Sequence, residues 1–203
     1  MTSLTCLALN CSLKADGPSN TDVLLGQALD ALAEHDVTGE VVRVAAHDVL
    51  PGVTSEAQGP GDDWPALRER VLAADILLLG TPVWLGNPSS VCKRVLERLD
   101  AFISETDDQG RMVSFGKVAG VVVTGNEDGA HNIAAQLYQG LSDVGFTIPT
   151  NATTYWVGEA MGSVDYGDLD ETPEKVAQTT SMMAANLAHV ARLLRQHPYP
   201  PVS

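Results

Sequence analysis

Apolar residues in this chain gather in short unbroken runs, and between the runs they recur every three or four positions. Residues 4–9, 76–79 and 118–123 are runs of the first kind, short and apolar nearly throughout, as strands buried on both faces are. Residues 40–45 (EVVRVA) also read as a strand, and the charges of Glu40 and Arg43 suit a sheet edge. The last strand is expected over 146–148, or over a longer piece reaching Trp156. Helical spacing fills the intervals. Residues 21–34 set Val23, Leu24, Ala28, Leu29 and Leu32 along one side. Residues 64–73 follow Asp62 or Asp63 as cap and carry Pro65 in the first turn. Residues 91–102 follow Ser89 or Ser90. A helix over 130–144 ends at Gly145, and one over 173–195 turns Val176, Met183, Leu187, Val190 and Leu194 to the core. Three stretches stay irregular: the Pro- and Gly-rich 48–63, with the composition of a mobile loop, the acidic 104–114, and 158–171.

Strand and helix alternate from end to end. That alternation implies an α/β fold, a parallel sheet with helices on both faces. Five strands predict a doubly wound, flavodoxin-like sheet of order 2-1-3-4-5, with strands one and three side by side at the switch point. No repeat or linker divides the chain, so residues 1–203 are expected to form a single domain.

Composition removes several functions. With 12 basic against 26 acidic residues the net charge is −14, so neither nucleic acid nor an anionic membrane is expected as partner. No apolar stretch approaches the ~20 residues of a membrane span. The opening MTSLTCLALNCSLK lacks the basic start of a secretory signal. Cys6, Cys11 and Cys92 fit a reduced, cytoplasmic protein, and their spacing is wrong for a four-thiolate cluster. Cys6 reads as a structural thiol; Cys11, beside a candidate loop, is a redox candidate.

The candidate chemistry sits where strands one, three and four end, since those ends share one rim in the expected order. After strand one, NCSLKADGPSNT brings Ser12, Ser19, Asn20 and Thr21 to a helix start, with Lys14 as a counter-charge. Such a helix end carries roughly half a positive charge and suits a phosphate. A plain capping loop has the same appearance. Neither GxxxxGK[ST] nor GxGxxG is present, which disfavours nucleoside triphosphates and a Rossmann-bound nicotinamide. After strand three, GTPVWLGNPSS exposes Trp84 in a loop stiffened by Pro82 and Gly86. Val83, Trp84 and Leu85 offer a flat apolar wall and backbone N–H donors, as a flavin ring requires; the alternative is a core or interface aromatic. After strand four, TGNEDGAHN places Thr124, Gly125, Asn126 and Glu127 at the rim, and Gly125 and Gly129 allow close backbone approach. His131, in the first turn of the next helix, is expected neutral, as a proton relay or as a surface residue without a role.

These three loops carry a resemblance. NCSLK with PSNT, then GTPVWLGNPSS, then GK before a strand ending TGNEDGAH resemble the NADPH-dependent FMN reductases and, in turn, the NAD(P)H:quinone reductases of flavodoxin-like fold, over residues 4–145. The resemblance implies phosphate contacts from Ser12, Lys14, Ser19, Asn20 and Thr21. It implies ring contacts from Pro82, Val83, Trp84 and Leu85, with Gly86 shaping the turn, and edge contacts from Thr124, Gly125, Asn126 and Glu127. Electrons would pass from NADPH or NADH through bound FMN to a small acceptor: a quinone, flavin, nitro- or azo-compound, or metal ion. No side chain is required as acid or base, so no catalytic residue is assigned. A homo-oligomer, most simply a dimer, is expected. Two rivals remain: a flavodoxin-type electron carrier without NAD(P)H activity, and a non-catalytic flavin-binding or scaffold protein. Residues 155–170, with Tyr155, Trp156 and Tyr166, are expected to cover a flavin of the same or a neighbouring subunit.

Overall fold

The computed structural model describes residues 3–202. Its elements are β1 (Leu4–Asn10), α1 (Asn20–Ala33), β2 (Val37–Arg43), α2 (Trp64–Ala73), β3 (Ile76–Trp84), β4 (Asn87–Pro88), α3 (Ser90–Leu99), β5 (Val118–Gly125), α4 (Ala130–Asp143), β6 (Thr153–Val157) and α5 (Glu174–Gln196). The sheet runs β2-β1-β3-β5-β6, with β4 folded back on β3. Every pairing along that path is parallel. Counting only the long strands, this is the flavodoxin-like order 2-1-3-4-5. β1 lies beside β3, with Leu7 opposite Leu77 and Asn10 opposite Gly80.

Successive strand residues point to opposite faces, so one sheet feeds two cores. On one face Leu7, Leu77, Leu79, Val121 and Val123 meet Val71, Val95, Phe102 and Leu137 of the helical layer. On the other, Ala8, Ile76, Leu78 and Val122 meet Leu25 and Leu32 of α1 and Met183 and Leu187 of α5. Each such large side chain contributes about 1.5–3 kcal/mol by leaving water. α1 comes close enough to β3 to require Gly80: a Cβ there would stand 2.6 Å from Leu25 Cδ1 and 2.9 Å from Thr21 Cγ2. That contact sets the first two turns of α1 against the middle of β3. Among the described residues no helix is long and apolar enough to cross a membrane.

Several elements differ from the sequence expectation. β2 starts at Val37, not Glu40, and stops at Arg43, where residues 44–46 wind into a single 3-10 turn. Gly39 reads as a break, yet it lies inside the ladder opposite Cys6, with Leu29 packed over the space its side chain would fill. β3 does not stop at Leu79. It continues through Gly80 and Pro82 to Trp84 because β5 pairs alongside it, Pro82 opposite Thr124. Residues 146–148 supply only one bridge, Thr147 to Val118, and the edge strand is Thr153–Val157. The loop 48–63 is pinned rather than loose. Arg98 of α3, fully buried, bonds the carbonyls of Leu50 (3.0 Å) and Glu56 (2.8 Å) and the Asp62 carboxylate (2.9 Å).

Candidate functional site

The first loop is held from beneath by Asn10, the buried last residue of β1. Its side-chain amide donates to Ser19 Oγ (3.2 Å) and to the Asp22 carboxylate, while its oxygen accepts the Ser12 N–H (2.8 Å). Ser19 caps α1, its Oγ accepting the Asp22 N–H at 3.2 Å. Arg43 at the end of β2 pairs with Asp22 and donates to the Gly17 carbonyl at 2.8 Å. The loop is therefore ordered by its own side chains. Ser12 Oγ is buried there without a hydrogen-bond partner. Helix geometry leaves the Asn20 and Thr21 N–H groups without intrahelical acceptors. Lys14, in the same loop, is exposed. An unpaired buried hydroxyl, two free N–H groups and a cation form a donor set that a phosphate satisfies. The Asn20 and Thr21 side chains are otherwise engaged. Asn20 Oδ1 accepts the Gly167 N–H at 2.9 Å, and Thr21 Oγ1 bonds Thr124 Oγ1 at 2.9 Å, both threonines buried.

The second loop is a hairpin. Trp84 pairs with Asn87, leaving Leu85 and Gly86 as a two-residue turn with φ of 51° and 72°. Positive φ at both central positions is the type I′ turn, which matches strand twist. Gly86 adopts it freely; Leu85, with a Cβ, is held there against an intrinsic cost of about 1–2 kcal/mol. Val83 is buried, Trp84 is 52% exposed and Leu85 88% exposed. Ser89 anchors the hairpin root. Its Oγ caps α3 through the Cys92 N–H (3.0 Å) and donates to the Cys11 carbonyl, and its own N–H reaches Thr81 Oγ1 (3.0 Å).

The third loop packs on that hairpin. A Cβ on Gly125 would stand 2.9 Å from Val83 Cβ, and one on Gly129 would stand 2.7 Å from Gly86 Cα. Glu127 Oε1 accepts the Leu85 N–H at 3.0 Å, and Asn132 donates to the Gly86 carbonyl at 2.8 Å. Asn126 ties the third loop to the segment after β6, donating to the Gly162 carbonyl (2.8 Å) and accepting the Met161 N–H on its own carbonyl (2.9 Å). Three bonds thus tie the loops to one rim: Thr21 to Thr124, Ser89 to Cys11, and Leu85 to Glu127.

Other residues fall elsewhere. Cys11 begins the first loop but is buried, as are Cys6 and Cys92. A hydrogen bond with Cys92, and then burial, hold the Cys11 thiol well above its ordinary pKa. A protonated, enclosed sulfur is no redox centre, which corrects that expectation. Burial likewise pushes the Cys6 thiol far up. Trp156 and Tyr166 lie against one another, centroids 5.4 Å apart, with the Tyr166 hydroxyl on Gln27 of α1, so packing engages both rings. His131 meets Tyr155 edge-on at 5.2 Å. Sequence reasoning passed over Asn10, Asn132, Met161 and the anchoring role of Ser89. Only Asn10 carried a signal: an amide closing an apolar strand must find partners inside.

The pattern that defines the NADPH-dependent FMN reductases matches residues 4–162, across all three loops. The chain belongs to that family. A protein from Streptomyces davaonensis, 8-demethyl-8-aminoriboflavin-5'-phosphate synthase, is 32% identical over 97% of this chain and 80% of its own length. The crystal structure of RosB with bound 8-demethyl-8-formylriboflavin-5'-phosphate superposes with TM-score 0.85 at 31% identity, covering 97% of this chain and 82% of that one. A Mycobacterium bovis protein named divalent metal cation transporter MntH is 39% identical over 95% of this chain. The chain spans only 29% of that relative's length. Family membership makes this a flavin-dependent, oxidoreductase-type protein, and its phosphate-ready first loop fits FMN.

Proposed function

We propose that this chain is an FMN-dependent NAD(P)H oxidoreductase that reduces a small acceptor such as a quinone or a free flavin. The observation that carries the reading is the uneven distribution of aromatic groups around the rim that the three loops share. Trp84 stands half exposed on the hairpin, while the third loop carries no Phe, Tyr or Trp, Tyr155 is set edge-on to His131, and Trp156 and Tyr166 are packed together. A carrier that shields its flavin between two rings would need a second exposed aromatic at that loop. One open ring face suits direct access by a nucleotide and then an acceptor.

The chemistry supplied by bound FMN is hydride acceptance from NADPH or NADH and return of two electrons to the acceptor. The chain's part is to bind and orient. Ser12, Ser19, Lys14 and the N–H groups of Asn20 and Thr21 would hold the phosphate. Pro82, Val83, Trp84, Leu85 and Gly86 would form the wall along the ring, and Thr124, Gly125, Asn126 and Glu127 its polar edge. With a quinone, NADPH and one proton yield NADP and quinol, so no protein group need be consumed. We assign no acid or base. The enclosed thiols accord with a reducing cytoplasm, and a homodimer is the proposed assembly.

The visible spectrum of the FMN-loaded protein tests the reading. NADPH or NADH is expected to bleach it under anaerobic conditions, and menadione or free flavin to restore it; failure of both nucleotides overturns it. Restoration only by a partner protein would favour the electron carrier. Ferric or manganic chelates belong on the acceptor panel because of the mycobacterial relative's name. A second reading rests on the Streptomyces relative and RosB: a riboflavin phosphate would be substrate rather than cofactor. A change in FMN mass after incubation would favour it. Ser12→Ala is expected to raise the FMN Kd by about 10–100-fold, the effect of losing one hydrogen bond to a charged group. Titration of the apoprotein by flavin fluorescence measures it.

A further inference from the structure

Two apolar side chains stand out furthest at the rim, and both sit on left-handed backbone. Leu85 is 88% and Met161 92% exposed, with φ of 51° and 62°. A branched or long side chain in that region costs about 1–2 kcal/mol. Neither is compensated by burial, and unrelieved strain at exposed residues belongs to sites where position matters.

Both tips are fixed by one dipeptide. The Glu127 carboxylate holds the Leu85 N–H at 3.0 Å. The Asn126 carbonyl holds the Met161 N–H at 2.9 Å, and the Asn126 amide holds the Gly162 carbonyl at 2.8 Å. The turn carrying Met161 is closed by Gly162 N–H on the Glu159 carbonyl at 2.8 Å. Two elements distant in the chain are thus fastened to adjacent residues of the third loop, each presenting a bare apolar group. Half-exposed Trp84, next to Leu85 in the hairpin, extends the apolar rim on that side.

We propose that Met161 and Leu85 are the jaws of a clamp for a flat aromatic acceptor, and that Met161 determines specificity for that class. This rests on the proposed oxidoreductase reading, because the clamp lies on the rim where the three loops meet. A thioether is flexible and polarisable and packs along an aromatic edge with about 0.3–1.5 kcal/mol of attraction. Naphthoquinone- or isoalloxazine-sized rings offer such an edge. A hydrated inorganic oxidant does not, so it gains nothing from the jaws.

The test uses the FMN-loaded protein with menadione and ferricyanide. Calorimetry measures menadione binding without nucleotide, and steady-state rates give kcat/KM for each acceptor. Met161→Ser is expected to raise the menadione Kd about tenfold and to lower the menadione-to-ferricyanide ratio of kcat/KM by a similar factor. Met161→Leu, which keeps the apolar bulk, restores most of both. An unchanged menadione Kd in Met161→Ser overturns the clamp, as does an equal loss with both acceptors or the loss of FMN itself. If the wild-type protein does not bind menadione, the clamp fails even where nucleotide oxidation succeeds. If it binds menadione but oxidises neither nucleotide, the reductase reading fails and the clamp stands.

Discussion

Arg98→Ala is expected to lower the unfolding free energy by about 3–5 kcal/mol, the usual effect of removing one partner from a buried ion pair. Urea unfolding followed by circular dichroism measures it. Arg98 and Asp62 have fully buried side chains. The pair itself adds little net stability, because desolvation offsets most of the attraction. The loss arises from what truncation leaves behind: a buried carboxylate and the bare carbonyls of Leu50 and Glu56. The guanidinium also lies over the Trp64 ring, 5.5 Å from its centroid, so truncation removes a cation–π contact with the first residue of α2 as well. Arg98→Lys should rescue little. One ammonium cannot reproduce the planar fork that reaches two carbonyls and a carboxylate at once. Removing Asp62 as well is no remedy, since its oxygens accept the N–H groups of Leu50 (3.2 Å), Gln58 (2.8 Å) and Trp64 (3.1 Å).

The same carboxylate shapes the acid limb of stability. Burial raises the Asp62 pKa, but the N–H bonds from Gln58, Trp64 and Leu50 together with Arg98 outweigh it and hold the group below its ordinary value. A carboxyl depressed in the folded state stabilises fully above its unfolded pKa, about 3.9, and loses that contribution as pH falls through the folded value. Asp62→Asn should therefore be less stable than wild type at neutral pH, with the gap closing below about pH 4.

How far the sequence could be read follows from where each side chain finds its partners. Residues 4–9, 76–79 and 118–123 announce themselves because strands covered on both faces must be apolar throughout. The edge strands do not. β2 and β6 are partly exposed, and their limits come from pairing with β1 and β5 rather than from their own composition. The hairpin after β3 hides for another reason. Type I′ turns are usually signalled by Asn-Gly or Asp-Gly, and here the first position is Leu85, so a strand with a tight return reads as a plain loop. Arg98 sits in an amphipathic helix, where an arginine normally means solvent; only Asp62 and two carbonyls far along the chain make it a core residue. The three loops were legible as polar, Gly-bearing interruptions after apolar strands. The bonds among them were not, since Glu127 and Leu85 are joined by the fold alone. The 158–163 strap carries little hint of Met161, whose importance lies in backbone conformation and exposure.

Gly129→Ala is expected to weaken FMN binding by at least about tenfold, because its backbone angles are ones that glycine alone adopts readily and a contact with main-chain atoms of the hairpin is added. Gly129 has φ of 142°, and a Cβ there would lie 2.7 Å from Gly86 Cα and 3.0 Å from Gly86 C and O. Those atoms belong to the hairpin turn and cannot rotate aside as a flexible side chain would. The hairpin must lift, and with it the Leu85 bond to Glu127 and the Gly86 bond to Asn132. The wall expected to line the ring would then separate from the edge expected to meet its pyrimidine side. Gly116→Ala is the control: its φ is 86°, but nothing lies within 4 Å of the added carbon, and it precedes β5 at the opposite end of the strands. It should lower stability through backbone strain of its own and leave the FMN Kd as it was. Flavin titration of the two variants, set beside their thermal midpoints, separates a crevice built by close backbone contact from one that merely needs a stable fold. Equal FMN losses in both would show that the Gly129–Gly86 contact has no special part in binding.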